Sequence, residues 1–390
     1  MGKFFSRLKP DVRQDETPEH PVSSLLKDFA GRFDWFQIVP MFLLLTIGAL
    51  FIYGTGQQVG GIHAALIWKK QLLFMGIGIV IWFFLIFFDY RWLIPGTFVI
   101  YPVSLVLLVA VLFFGTELYG AKRWLSIGGF SYQPSELAKL GVILVVSFLL
   151  SRRKADINKP LWALGVVSLT AVPFLLIYKE PDLGTALVLL PIVGAILFAA
   201  HLKLRWILAL LVLLLATAPI LYMNLKPYQK ERIEAFLHPE NLNLSGNYQV
   251  WQSKVAIGNG GFTGTGLFNG TQKELDFIPV QSSDFIFSVI GEELGFIGGL
   301  IIIAVFGIML YRMATVVRDA LDFYGALVVS GVIGMFTFQI FENIAMTMGI
   351  MPVTGITLPF LSYGGSSILS NMAAFGIVLD VGMRSKSINF

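Results

Sequence analysis

Apolar runs of about 20 residues, joined by short polar connections, dominate the chain. A run of that length crosses a bilayer as an α-helix. Ten are predicted, at about 36–55, 68–88, 95–114, 135–151, 160–178, 183–200, 205–223, 284–311, 323–345 and 357–380, with the ends of the third, fourth and sixth least sharply marked. Ten such spans fill just over half of the 390 residues. The pattern therefore predicts an all-α, polytopic membrane protein with a single domain over 35–383, flanked by tails at 1–34 and 384–390. Composition agrees: 56% hydrophobic residues, 13% charged residues and a mean hydropathy of +0.76 exclude an ordinary soluble domain.

Basic residues set the orientation. With the N-terminus inside, the inner loops and C-terminal tail hold eleven: Arg91, Arg152, Arg153, Lys154, Lys159, Lys203, Arg205, Arg312, Arg318, Arg384 and Lys386. The short outer loops hold five: Lys69, Lys70, Lys122, Arg123 and Lys179. Both termini are expected in the cytoplasm, with a large extracytoplasmic loop at 224–282 between the seventh and eighth spans. The stretch 1–34 lacks the apolar core and cleavage site of a signal peptide. The net charge of +4 is mostly this topology signal and implies no nucleic acid. The absence of cysteine excludes disulfides and thiol chemistry.

The few outer cations are the informative exceptions. Pro134-Ser135-Glu136 has the form of a helix start, with proline in the first turn and an acid favoured by the helix dipole. Glu136 and Lys139, three apart, share a face. They could simply pair with each other, and Arg123-Trp124 could be an interfacial anchor. Together, though, Lys122, Arg123 and Lys139 suit an anionic headgroup such as a pyrophosphate. In the next outer turn Asp182 either caps the sixth span or joins the same cavity.

The segment 258–270 is rich in glycine but matches neither phosphate-loop pattern. It is expected to be a flexible loop closing over an extended substrate. Upstream, 228–237 could lie in the interface as a short helix with Ile233, Phe236 and Leu237 towards lipid. Along the eighth span Asp284, Ser288 and Glu292 fall four apart on one face, and Gly291, Gly295 and Gly299 repeat the small-residue spacing of close helix packing. A carboxylate at the mouth of a membrane helix is costly unless a wet cavity or a partner receives it. Asp284 is shallow enough to meet a substrate from outside. Glu292 and Glu293, about 12 Å deeper, are expected to be structural. Finally, Glu342 and Asn343 lie on the ninth span. The proline- and glycine-interrupted segment 351–367 either lines a cavity, where its hydroxyls and amides, Ser366 among them, suit sugar or phosphate oxygens, or is a turn between helices.

These residues resemble the SEDS (shape, elongation, division and sporulation) family of bacteria, nearly end to end. The resemblance rests on Arg123-Trp124 with Gln133-Pro-Ser-Glu136 and Lys139; on Pro181-Asp-Leu-Gly-Thr185; on Tyr248-Gln249 with Gln252-Ser253 and Ala256-Ile-Gly258; on Gly270-Thr-Gln272; on Asp284 through Gly295; and on Pro352-Val-Thr-Gly355 leading to Leu358 through Ser367. The Pro-Val-Thr-Gly run leans towards the elongation branch. The resemblance implies an enzyme of the bacterial cytoplasmic membrane, a peptidoglycan glycosyltransferase polymerising lipid II. It implies a class B penicillin-binding protein as partner, alongside other elongation or division machinery. The family's catalytic aspartate falls on Asp284, whereas Ser282-Ser283 departs from the histidine or threonine often found before it. Asp284 is then the expected general base. Lys122, Arg123 and Lys139 hold the donor pyrophosphate, and Trp124, Gln133, Glu136, Asp182 and Ser366 complete the substrate-binding set. A divalent cation (Mg2+ or Mn2+) at the pyrophosphate fits this chemistry, although no dense acid cluster marks a dedicated cage. The rival expectation is a lipid II flippase, against which no inverted repeat is visible; a scaffold without chemistry would leave Asp284 and the outer cations unexplained.

Overall fold

The computed structural model describes residues 33–58, 62–118, 121–128, 130–152, 160–270 and 280–385. The expected N-terminal tail apart from its last two residues, the motif residues Thr271 and Gln272, loop glycines 120 and 129, and Arg153, Lys154, Lys159 and Lys386 of the charge count lie outside them. Each of the ten predicted spans falls on a helix: α1 (Trp35–Gln58), α2 (Ile62–Phe87), α3 (Leu93–Phe114), α4 (Pro134–Ser151), α5 (Pro160–Lys179), α6 (Leu183–Ala199), α7 (Leu204–Met223), α10 (Ile286–Asp319), α11 (Phe323–Thr347) and α12 (Gly365–Ser385). Between α7 and α10 lie α8 (Pro227–Leu237), where a short helix was expected, and α9 (Ser245–Asn259), which was not.

Among the described residues seven helices, α1 to α4 and α10 to α12, are long and apolar enough to cross a membrane. Apolar stretches in α5 and α6 are shorter. The degree of burial separates centre from rim. Of the apolar window of α12, 83% is buried, and 72% of those of α4 and α11, against 22% for α2 and 28% for α3. Glycine permits close contact between helices: a Cβ on Gly334 of α11 would stand 2.4 Å from the Pro191 carbonyl of α6.

Three departures from the all-helical expectation matter. The α3–α4 connection is a small antiparallel sheet in the order β1 (Thr116–Leu118), β2 (Ala121–Ile127), β3 (Phe130–Tyr132). Within β2, Lys122 is exposed while Arg123 and Trp124 after it are partly buried. The last span begins at Gly365 rather than 357, because 351–364 is irregular backbone with Gly355 and Phe360 at positive φ. Helix α10 begins at Ile286, after Asp284, and is broken at Gly295 (φ 67, ψ −164).

The glycine-rich segment is not a free flap. Its backbone amides donate into the break in α10, Thr265 to the Glu292 carbonyl at 3.0 Å and Gly266 to that of Glu293 at 3.1 Å. In return Phe296 and Ile297 donate to Gly261 and Phe262. A Cβ on Gly264 (φ +84) would come within 2.1 Å of the Glu293 carbonyl oxygen. These glycines serve close backbone contact, which composition alone does not distinguish from flexibility.

Candidate active site

A cavity of about 980 Å3 opens where the β-sheet, the α5–α6 turn, α8, the turn before α10 and the irregular segment 351–364 meet. Arg123, Trp124, Gln133, Glu136, Lys139, Asp182 and Asp284 all line it. Ser366 stands just behind the wall, where its hydroxyl accepts from the Gln133 amide at 2.9 Å. Lys122 is the correction: it is exposed and is not part of the cavity lining, whereas Arg123 and Trp124 after it both are.

The Asp284 turn is locked by its own carbonyls. Tyr363 N donates to the Ser282 carbonyl at 2.9 Å and Ser362 Oγ to that of Ser283 at 2.5 Å. Asn343 Nδ2 donates both to the Asp284 carbonyl (2.9 Å) and to that of Ile356 (2.7 Å). Three groups from α11 and the irregular segment thus fix the backbone and leave the half-buried side chain to the cavity. Ser283 Oγ donates to Asp284 Oδ1 at 2.8 Å. Oδ2 faces the gap left by Gly355, where a Cβ would stand 3.3 Å from it and 4.0 Å from Arg232 Nη1. Burial pushes the Asp284 pKa above the ordinary aspartate value, opposed by the Ser283 hydrogen bond and by the charges of Arg232 and Arg123.

Arg123 reaches over the α5–α6 turn. It donates to the Pro181 carbonyl and to Tyr228 Oη (3.3 Å) and lies 3.6 Å from Asp182. Asp182 plays both parts foreseen for it: it caps α6 through the Thr185 amide (3.2 Å), and it accepts from Thr185 Oγ1 (2.9 Å) and Gln133 Nε2 (2.8 Å) at the cavity wall. Lys139 pairs with Glu136 at 2.8 Å, and both are almost fully buried at the cavity wall.

Sequence reasoning missed Tyr228 and Arg232. Both line the cavity from α8, where an interfacial helix was expected. Arg232 Nη1 donates to the Val353 carbonyl at 3.2 Å, and burial together with nearby Arg123 lowers its pKa. The available signal was their spacing of four, which puts them on one face of the helix.

A metal ion finds no ready cage. Among the described residues no three His, Cys, Asp or Glu side chains gather in one place. Asp182 is already engaged by Thr185, Gln133 and Arg123, and Glu136 by Lys139.

A membrane bundle with an open acid beside two guanidiniums narrows the field, and comparison with known proteins narrows it further. The model of the family described as Cell cycle protein, whose name joins FtsW, RodA and SpoVE, matches residues 35–387. The chain belongs to this family. Membership, with the seven long apolar helices, makes it a multi-pass membrane protein of the FtsW/RodA/SpoVE type. Peptidoglycan glycosyltransferase MrdB of Escherichia coli K12 is 38% identical over 294 residues, 74% of this chain and 78% of its own length. Stage V sporulation protein E of Bacillus subtilis is 35% identical over 373 residues, 90% of this chain and 98% of its own. The fold matches a chain of a peptidoglycan synthase complex that coordinates polymerization and crosslinking, at TM-score 0.77 and 31% identity over 90% of this chain and 98% of that one.

Proposed function

We propose that this FtsW/RodA/SpoVE-family protein is a peptidoglycan glycosyltransferase that polymerises lipid II for cell-wall elongation, working in the bacterial cytoplasmic membrane. The observation that carries the reading is the convergence in one cavity of the open oxygen of Asp284 with Arg232, Arg123 and Lys139. The bias of basic residues supports an orientation with both termini in the cytoplasm, which puts the cavity mouth and α8–α9 outside. The matched synthase complex supports a class B penicillin-binding protein as partner.

In this reading Asp284 takes the proton of the acceptor GlcNAc 4-hydroxyl. The freed oxygen attacks the donor's anomeric carbon, and the bond from that carbon to the phosphate oxygen breaks. Undecaprenyl pyrophosphate leaves with the electron pair, held by Arg123, Arg232 and Lys139 as its charge develops. Attack opposite the leaving group inverts an α-linked donor to a β-1,4 product without a covalent enzyme intermediate. Gln133 and Asp182 position Arg123, and Ser366 positions Gln133. No step needs a resident metal.

The test is reconstitution of the chain and its partner in liposomes with fluorescent lipid II. A ladder of glycan strands on a gel is the expected result. Translocation of lipid II without any strands would instead establish the flippase.

A further inference from the structure

The reaction above, on which this inference rests, joins two saccharides that are both still attached to polyprenyl pyrophosphates when they meet. One anion leaves with the donor; the other stays with the acceptor. The cavity must therefore balance two such groups, and its cations divide unevenly. Arg123, Arg232 and Lys139 each have a partner in the protein: Asp182, the Val353 carbonyl and Glu136.

The fourth lining cation is Lys70 of α2. Its side chain is exposed, and among the described residues no hydrogen bond or ion pair engages it. It lies one turn inside the apolar segment Leu66–Phe87, where an ammonium group needs water, a headgroup or an anion. Its neighbour Lys69 instead lies 5.8 Å from the Trp68 ring and is not part of the cavity wall.

Helix α2 is held in place at this level. Gln71 Nε2 donates to the Ser362 carbonyl (3.3 Å) and Gln71 Oε1 accepts from the Gly364 amide (3.4 Å). Ser362 in turn holds the Asp284 turn through the Ser283 carbonyl. The stretch of α2 that carries Lys70 is therefore tied to the turn that carries the proposed base. Ile67 and Leu73 line the cavity beside it, and Leu72 and Leu73 are exposed on the same helix, giving an apolar flank open towards lipid.

We propose that Lys70 is a second anion-binding point, which takes the pyrophosphate of the lipid-linked acceptor while Ile67 and Leu73 receive its first isoprene units. An ammonium held for one anion contributes affinity rather than chemistry. K70Q in the partner-bound protein is expected to raise KM for lipid II about five- to tenfold while kcat stays within about twofold. K70R and K69Q keep the wild-type KM.

A measurement on the unaltered lysine accompanies these variants, so that misfolding of K70Q decides nothing. In non-turnover D284N protein, saturating lipid II should protect Lys70, but not Lys69, from acetylation by an amine-reactive reagent, read by peptide mass spectrometry. If wild type makes strands while K70Q keeps its KM and lipid II gives Lys70 no protection, Lys70 is a headgroup anchor and the inference fails alone. Equal effects at Lys69 and Lys70 overturn it too. A wild-type complex that makes no strands overturns the polymerase reading and this one with it.

Discussion

Asp284 and the pair Glu292–Glu293 stand within nine residues of one another at the head of one helix, yet their surroundings differ in kind. Glu293 Oε2 accepts from the Phe268 amide at 2.9 Å, Glu292 Oε1 accepts from Asn259 Nδ2 at 3.2 Å, and both residues are buried. Their carboxylates and carbonyls tie the glycine-rich segment to α10. Asp284 has the opposite arrangement: its backbone is held by Asn343 and the locking of neighbouring carbonyls, and one carboxylate oxygen is left towards Gly355 and Arg232. An acid whose carboxylate ties two segments of its own chain together holds the fold; one with an oxygen turned to a cavity can take a proton.

The strongest way to break this contrast is D284N. An asparagine keeps the size and the Ser283 contact but cannot act as a base, so polymerisation should fall about 10³-fold or more. The thermal midpoint and lipid II binding should stay near wild type. A D284N protein that still made strands at a tenth of the wild-type rate would remove Asp284 from the chemistry.

Next in size is G264A, which tests the other side of the comparison. It forces a Cβ into a positive-φ position 2.1 Å from the Glu293 carbonyl. A loss of about 2–3 kcal/mol of stability is expected, seen as a lower thermal midpoint in detergent. The protein that remains folded should polymerise at close to the wild-type rate. Normal stability in G264A would mean that the segment is loose after all.

The contrast also marks how far the sequence could be read. The ten apolar runs coincide with ten helices because a 20-residue apolar stretch has few alternatives in lipid. Seven of the nine site residues line the cavity; five of the seven are charged, and a charge near an apolar span nearly always faces water or protein. What failed was local. Lys122 and Arg123 are adjacent cations on a strand not foreseen between two helices, one exposed and the other partly buried at the cavity wall. Glycines 260, 264 and 266 could equally have meant flexibility or close contact, and only the carbonyls opposite them decide. Arg232 was hidden because α8 is amphipathic, and its apolar face drew the reading towards lipid.

R232Q sharpens the Asp284 side by a smaller step. A general base works deprotonated, so the rate rises with pH through its pKa. Burial raises that pKa and Arg232 lowers it. Removing the guanidinium should therefore move the acid limb of kcat/KM to higher pH and reduce kcat/KM about ten- to thirtyfold at neutral pH. R232K should restore most of the limb's position, because charge is what it needs. An unmoved limb with lower activity would assign Arg232 to substrate binding alone.

The smallest effect concerns Glu180, two residues before the saturated Asp182. Both of its oxygens are buried without a hydrogen-bond partner, and burial, then Asp182, pushes its pKa up to about 9 against the pull of Arg123. A carboxyl that binds its proton more tightly folded than unfolded favours the folded state only at low pH. Stability should thus fall as pH climbs from the ordinary glutamic acid value of 4.5 towards about 9. E180Q carries a permanently neutral group of the same shape and should lack that slope. Relative to wild type it should gain stability at pH 7, a difference that shrinks as the pH approaches 5. Parallel thermal midpoints for the two proteins across that range would mean that the Glu180 carboxyl is ionised in the fold and reaches Arg123 instead.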